Sequence, residues 1–518
     1  MKALFSLLFS VCLFCFTTQA QLLDDTFGNN GLVINNLTQG IDGIYGMAIQ
    51  HDGKIITSGT ANGTFVLVRY NTNGTFDSSF GNNGIVQTNF SFTGGQCNII
   101  IQSDNKILVQ SSNNYKPFIA RYNTNGTLDN TFGTNGMVYI IVQNKDNSST
   151  GGMLLTQDGK IVLLGRKPGN AIDPTYIFLI RLNADGSIDT HFGPDGTGLS
   201  LLAPTINYQN GTAMYSTARN ITLNSNGDLF VQLMFNINTE TGYITDYGVL
   251  KYSSSGIRDQ EFGEGGIAPA HVNHNGQIIQ SGIKILDDDK IISIARKNYY
   301  PLPKRGLLLT KYNTDGSLDT SFGTNGFVET TVDNSIDMDL EILANKKIFI
   351  AGDNLETFTS ILYEPNGQID ITYGDNGFFV YKFEPLSYDY GRVVAKQTDG
   401  KIIIAGSTSH QCANRGFALM RLNIEQEIAT DINENNNNQL AGIQFYPNPT
   451  NGKITINLPK QFSDIDIKIL STTGQQILYC NFKNTNQIDL NPDLKSGMYF
   501  VQIIDATNVV ANLKVVKE

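Results

Sequence analysis

Leu23-Asp24-Asp25-Thr26-Phe27-Gly28-Asn29-Asn30-Gly31 is the stretch whose reading decides the fold, because the chain keeps writing it. Phe76-Asp77-Ser78-Ser79-Phe80-Gly81, Leu128-Asp129-Asn130-Thr131-Phe132-Gly133 and Ile188-Asp189-Thr190-His191-Phe192-Gly193 follow. Asp259-Gln260-Glu261-Phe262-Gly263, Leu318-Asp319-Thr320-Ser321-Phe322-Gly323 and Ile369-Asp370-Ile371-Thr372-Tyr373-Gly374 complete the series. The aromatic residues stand 53, 52, 60, 70, 60 and 51 positions apart, which marks a repeat architecture.

Working outward, four short extended segments lie between successive Phe-Gly marks. In the first unit they are Gly31 to Asn35, Tyr45 to Gln50, Lys54 to Ser58 and Phe65 to Tyr70. Each has strand length. His51-Asp52-Gly53, repeated at Asp158-Gly159 and Asp399-Gly400, predicts a two-residue hairpin loop between the second and third. The fourth, as in Phe178-Leu179-Ile180-Arg181-Leu182, is nearly continuous in apolar character and should be covered on both faces.

In the closing element the Asp suits capping of a turn, the Gly a positive φ, and the Phe an apolar seam between units. Seven such sets run over 31–70, 84–122, 136–182, 197–252, 266–312, 326–363 and 377–422. The seventh lacks its own trailing element, while an orphan copy precedes the first. The prediction is therefore all-β: a seven-bladed β-propeller of four-stranded antiparallel blades, closed by the N-terminus beside the last blade.

Over 518 residues, 40% apolar and 16% charged composition indicates a folded chain, and a net charge of −11 disfavours nucleic-acid binding. Residues 1–20 read as a secretory signal: Lys2, an apolar run from Ala3 to Phe16, and a small residue at Ala20. No later segment has the apolar length of a transmembrane helix. Maturation leaves Cys97, Cys412 and Cys480, an odd number whose spacing fits neither a zinc cluster nor a disulfide framework.

The repeats over residues 22–423 resemble the delta-60 family of exported bacterial proteins, which implies a propeller fold and supplies no activity. Residues 424–441, with Asn435 to Gln439, read as a linker, and 442–518 as a small C-terminal β-sandwich. Tyr446-Pro447-Asn448-Pro449 with Gly452, the turn ending in Gly474, and Ser496-Gly497-Met498-Tyr499 resemble the type A sorting domain of Bacteroidetes type IX secretion. That resemblance implies partnership with the type IX machinery and release to, or attachment at, the cell surface.

A residue that recurs in every blade is explained by folding, so Asp24, Asp77, Asp129, Asp189, Asp259, Asp319 and Asp370 are expected to cap turns, beside Phe27, Phe80, Phe132, Phe192, Phe262, Phe322 and Tyr373. Asn71 to Asp77 carries oxygens at alternate positions, as calcium loops do, but lacks the terminal bidentate Glu; calcium is the alternative. Histidines at 51, 191, 271, 274 and 410 form no metal-spaced set, and no nucleophile motif or carboxylate pair appears, so no catalytic residue is assigned.

The long, irregular loops share the end opposite the Asp-Gly hairpins, where binding is expected. Among them Arg296, Lys297, Tyr299, Tyr300, Lys304 and Arg305 form a basic, aromatic tip suited to an anionic polymer or a protein partner. The function expected is a secreted or cell-surface binding protein for a protein or glycan ligand. The alternative is a polysaccharide hydrolase or lyase working at the channel mouth.

Overall fold

The computed structural model describes residues 22–517 apart from 92–96, 114–115, 143–148, 168–175, 203–204, 209–210, 240–241, 271–277, 299–303, 334–337, 355, 411–414, 425–443, 447–449, 451, 472–475, 493, 496 and 506–507. The signal segment and Cys412 lie outside the described residues. The chain divides into two compact units, Met1–Ile424 and Glu425–Glu518.

The first unit is seven antiparallel sheets. Blade 1 comprises Asp42–Ile49, Ile55–Ala61, Thr64–Tyr70 and Ile85–Ser91; blade 2 comprises Asn98–Ile101, Ile107–Asn113, Lys116–Tyr122 and Met137–Tyr139. Blade 3 comprises Ser149–Leu155, Ile161–Lys167, Tyr176–Leu182 and Leu199–Leu202. Blade 4 has five strands, Thr205–Tyr208, Gly211–Leu223, Leu229–Thr239, Gly242–Tyr252 and Ala268–Pro269. Blade 5 comprises Ile278–Ile285, Ile291–Asn298, Lys304–Tyr312 and Phe327–Asp333, and blade 6 Met338–Ile342, Ile348–Asp353, Phe358–Tyr363 and Phe378–Tyr381. Blade 7 is Ser387–Lys396, Ile402–His410 and Arg415–Leu422, completed by Leu32–Asn35 from the start of the chain.

Closure is direct. The inner strand of each blade packs against that of the next, and Ser387–Lys396 of blade 7 packs against Asp42–Ile49 of blade 1. Leu32 pairs with Met420 and Asn35 with Phe417, so backbone hydrogen bonds fasten the two ends of the repeat array and leave no open gap in the ring.

The phase of the repeat differs from the sequence expectation. The segment after each Phe-Gly mark is not the first strand of its own sheet but the outermost strand of the sheet before it: Ile85–Ser91 pairs with Thr64–Tyr70. A periodic order of four segments reads the same from any starting point, so only strand pairing fixes where one sheet ends. The hairpins differ as well. Gln50 N–H donates to Lys54 O at 2.8 Å and Gly53 N–H to Gln50 O at 2.9 Å, which makes a three-residue loop. Only its last residue takes positive φ, 80° at Gly53, 63° at Asn105 and 66° at Lys346.

The seams carry the core. Phe80 is buried with Phe65 and Leu67 of blade 1 and with Val109 and Phe118 of blade 2. Phe27 lies equivalently between Val66 of blade 1 and Phe417 and Leu419 of blade 7. Burial of one such side chain contributes about 1.5–3 kcal/mol. Gly126 of the following blade sits against the Phe80 ring at φ 87°, where a Cβ would lie 3.0 Å from a ring carbon.

Among the described residues the regular structure of the second unit is all β. Gln444–Tyr446, Ile454–Ser471, Gln476–Leu490, Gly497–Asp505 and Asn508–Lys517 form one hydrogen-bonded network in which Ile454–Ser471 pairs with both Gln476–Leu490 and Gly497–Asp505. Its register breaks between Asn457 and Phe462, and Ile456, Ile467, Ile469, Val501 and Val515 build a core of their own.

Candidate functional site

Two sets of residues stand out, one recurring in the blades and one varying between them. In the recurring set each Asp caps its turn, as expected: Ser79 N–H donates to Asp77 Oδ1 at 3.0 Å and Ser79 Oγ at 2.7 Å. Its other oxygen does what the sequence reading missed. Arg69 Nε and Lys54 Nζ lie 2.7 and 2.9 Å from Asp77 Oδ2, and Arg69 also donates to Thr124 O in the next blade. The Arg69 guanidinium rests 4.5 Å from the centre of the Phe80 ring. Lys54 comes from the Asp-Gly hairpin, so that hairpin and the Asp-x-x-Phe-Gly turn share one end of the disc.

The same joint forms at Arg121, Lys106 and Asp129, and at Arg181, Lys160 and Asp189. Lys311 replaces the arginine at Asp319, and Lys347 alone serves Asp370. At the seventh joint the carboxylate is Asp24, 2.7 Å from Arg421 Nε and 3.0 Å from Lys401 Nζ, so the orphan leading element closes the ring with a side chain as well as a strand. Burial alone would push the Asp24 carboxyl up, but hydrogen bonds from Thr26 and Lys401 and the Arg421 charge hold it down at about 2. These aspartates are structural. In the loop weighed for calcium, Asn73 Oδ1 accepts from Thr75 N–H at 3.1 Å and Thr75 Oγ1 at 2.8 Å.

The varying set lies on the inner strands. Nine residues before each hairpin position Lys54, Lys106, Lys160, Asp228, Lys290, Lys347 and Lys401 stand Tyr45, Cys97, Gly151, Arg219, Ser281, Met338 and Arg392. All seven line one cavity of about 610 Å³, walled by every blade. Tyr45, Ser281 and Arg392 are each the extra residue of a register shift, between Ile44 and Gly46, Gln280 and Gly282, and Gly391 and Val393. Arg219 occupies the same kind of bulge between Ala218 and Asn220. A bulge interrupts the pleat and re-aims a side chain, here toward the channel.

Around this ring a polar girdle ties blade to blade. Asn98 Nδ2 donates to Gly151 O at 2.7 Å, Gln280 Nε2 to Thr217 O at 2.9 Å, and Val394 N–H to Asp339 Oδ2 at 3.1 Å. Leu340 N–H occupies the other Asp339 oxygen at 2.8 Å. Burial pushes the Asp339 carboxyl up, opposed by Lys284 and these amides. Arg392 stacks over Tyr45, 4.3 Å from the ring centre, across the closing seam. Cys97, bonded to Ser58 at 2.9 Å, is buried and its thiol is pushed up to about 12.

The basic loop tip of the sequence reading is largely strand. Arg296 and Lys297 end the strand Ile291–Asn298, and Lys304 and Arg305 begin Lys304–Tyr312. Lys297 Nζ is paired with Glu329 Oε1 at 3.1 Å. Tyr299, Tyr300, His271 and His274 lie outside the described residues. The cavity residues were missed in the sequence; the one signal there is their shared position nine residues before each hairpin position.

A model of a β-propeller domain of unknown function (DUF5122) matches residues 50–80, 102–132, 156–192, 304–322 and 397–423, and one of a secretion system C-terminal sorting domain matches 444–518. The chain is a repeat β-propeller with a type IX sorting tail. The propeller is exported by type IX secretion to the cell surface or the extracellular space, and its tail engages that machinery. No curated protein matches the sequence. Among solved structures, virginiamycin B lyase from Staphylococcus aureus is similar at 13% identity and TM-score 0.38, covering 75% of this chain and 99% of that one. Drosophila plexin A, in complex with semaphorin 1b, is similar at 9% and 0.36, covering 77% and 88%. Aldose sugar dehydrogenase from Streptomyces coelicolor, in its PQQ-bound form, is similar at 10% and 0.34, covering 75% and 98%.

In the sorting tail, Gly452 N–H donates to the buried Thr450 Oγ1 at 3.0 Å, and Tyr499 O–H, two residues beyond Gly497, donates to Lys495 O at 2.9 Å. Pro447, Asn448, Pro449 and Gly474 lie outside the described residues. No helix among the described residues is long and apolar enough to cross a membrane.

Proposed function

We propose that this exported propeller is a non-catalytic binding protein whose ligand enters the central cavity rather than resting on the loop tips. The observation that carries this reading is one inner-strand register at which the blades differ in residue type while facing the same cavity. Seven blades keep their hairpins, seams and Asp joints, yet present Tyr45, Cys97, Gly151, Arg219, Ser281, Met338 and Arg392 at equivalent places in one cavity. A size of about 610 Å³ suits a small molecule or the end of a glycan chain. The binding reading is favoured over a hydrolase because Asp339, the one carboxylate among the described lining residues, has both oxygens engaged by backbone amides. Acid–base cleavage of a glycoside ordinarily uses two carboxyl groups.

The test is a glycan array run beside assays for reducing sugar and unsaturated product, on the full mature chain and on Ser281→Trp, which projects an indole into the cavity. Retention by the wild type, lost in Ser281→Trp, with no product released, is expected. Turnover, or retention indifferent to Ser281→Trp and abolished by Arg305→Ala, overturns the reading.

A further inference from the structure

We propose that the cavity is an oxyanion site, taking a small organic molecule that carries carboxylate or phosphate groups, held by Arg166, Arg219 and Arg392. This deepens the reading of the cavity as the ligand site and rests on it. The three guanidinium groups come from blades 3, 4 and 7 and line the cavity, against one carboxylate, Asp339, among the described lining residues. A net positive pocket inside a chain of net charge −11 is not explained by average composition. It concentrates field where low-dielectric walls strengthen it.

Two of the arginines reach the cavity on the bulge that recurs at this register and the third by a departure from the repeat. Arg219 and Arg392 sit on bulges. Arg166 belongs to the second strand of blade 3, opposite Ser149, and borders the cavity where the inner strand carries only Gly151 and Gly152 and shifts register between Thr150 and Met153. Gly151 is pressed so close to blade 4 that a Cβ would stand 2.8 Å from Arg219 O, so the gap in the wall is built into the packing.

None of the three is used up by the fold. Among the described residues Arg166 Nε is buried without a hydrogen-bond partner. Among the described residues Arg392 makes its stacking contact with Tyr45 and Arg219 makes no ion pair. The arginines of the seam joints are the contrast, since Arg69, Arg121, Arg181 and Arg421 each hold an aspartate. Like charges gathered in a partly desolvated cavity raise its energy, and an oxyanion offering paired acceptors to planar guanidinium forks relieves that while fixing orientation.

Isothermal titration calorimetry on the full mature chain tests this with three probes: digalacturonate, citrate and inorganic phosphate. Lactose, neutral and of disaccharide size, is the control. Binding of at least one anion at one site per chain is expected, with lactose silent. Arg219→Ala and Arg392→Ala should each weaken it about tenfold or more. Arg392→Lys, which keeps the charge and loses the fork, should weaken it too, with unchanged circular dichroism showing that the ring is intact. The three probes separate a sugar acid from other carboxylates and from phosphate.

Failure of all three anions to bind overturns the inference. So does anion binding that survives the double Arg219→Ala, Arg392→Ala variant. Lactose binding that is abolished by Ser281→Trp and unaffected by the arginine variants overturns the anion class while leaving the cavity as the ligand site.

Discussion

Removal of the Asp24 carboxylate should loosen the closing seam far more than the same change loosens the exposed fourth joint at Asp259. Asp24 is 3% exposed, with Arg421, 5% exposed, at 2.7 Å and Lys401 at 3.0 Å. Asp24→Ala leaves a buried guanidinium without its carboxylate, a change that ordinarily costs about 3–5 kcal/mol. Arg421 keeps the Thr72 carbonyl and the Phe27 ring, which places the loss near the lower end, about 3 kcal/mol. The matched control is Asp259 of the fourth joint, 34% exposed and 3.5 Å from Lys251, where Asp259→Ala should cost under about 1 kcal/mol.

Urea unfolding followed by circular dichroism, with amide exchange of Leu32–Asn35 read by mass spectrometry, measures both. Closing-strand exchange should rise about 150-fold in Asp24→Ala if local opening governs it. The carboxyl is held at about 2 against an ordinary 3.8, so the native state favours its ionised form. Its contribution is complete above pH 3.8 and disappears as pH falls through about 2, and the wild-type advantage over Asp24→Ala should shrink across that window. Equal costs at Asp24 and Asp259, or exchange at Leu32–Asn35 unaltered in Asp24→Ala, would refute side-chain closure of the ring.

Lys346 closes its hairpin with φ 66°, where four of the other six copies have glycine, so Lys346→Gly should stabilise the propeller by up to about 1 kcal/mol in the same urea titration. Ile467 is fully buried in the tail, and Ile467→Ala should cost that unit about 2–5 kcal/mol by chemical denaturation and lower the amount of protein exported from cells. Cys97 is buried with its thiol at about 12, whereas Cys480 is half-buried on the tail. A maleimide should therefore label Cys480 in the native chain long before Cys97, and equal rates would contradict the packing at Ser58.

The Phe80 seam was legible because one aromatic returning at near-constant spacing can be explained only by equivalent packing, and the Asp77 cap because a turn is a local interaction. The cavity was less legible. Arg219 and Arg392 stand at one position of the repeat, nine residues before the hairpin position, but that position holds six residue types in the seven copies, so no recurring letter marks it. Arg69 illustrates the intermediate case: its recurrence was visible, but its partner Asp77 lies eight positions on in sequence and across a turn in space.

The amino-acid sequence by itself determined the seven units, their strands, the end of the disc that carries uniform turns, and the exported destination, since all of these are written in local periodicity or contiguous motifs. The sequence also placed the leading segment beside the last blade; tertiary structure alone decided which segment completes which sheet, which contacts of Asp24 and Leu32–Asn35 fasten the ring, and that three arginines meet in one cavity. The physical reason is separation: these relations join residues far apart in the chain, 53 positions for Arg166 and Arg219 and 397 for Asp24 and Arg421, and the cavity exists only once the ring closes and brings the inner strands together.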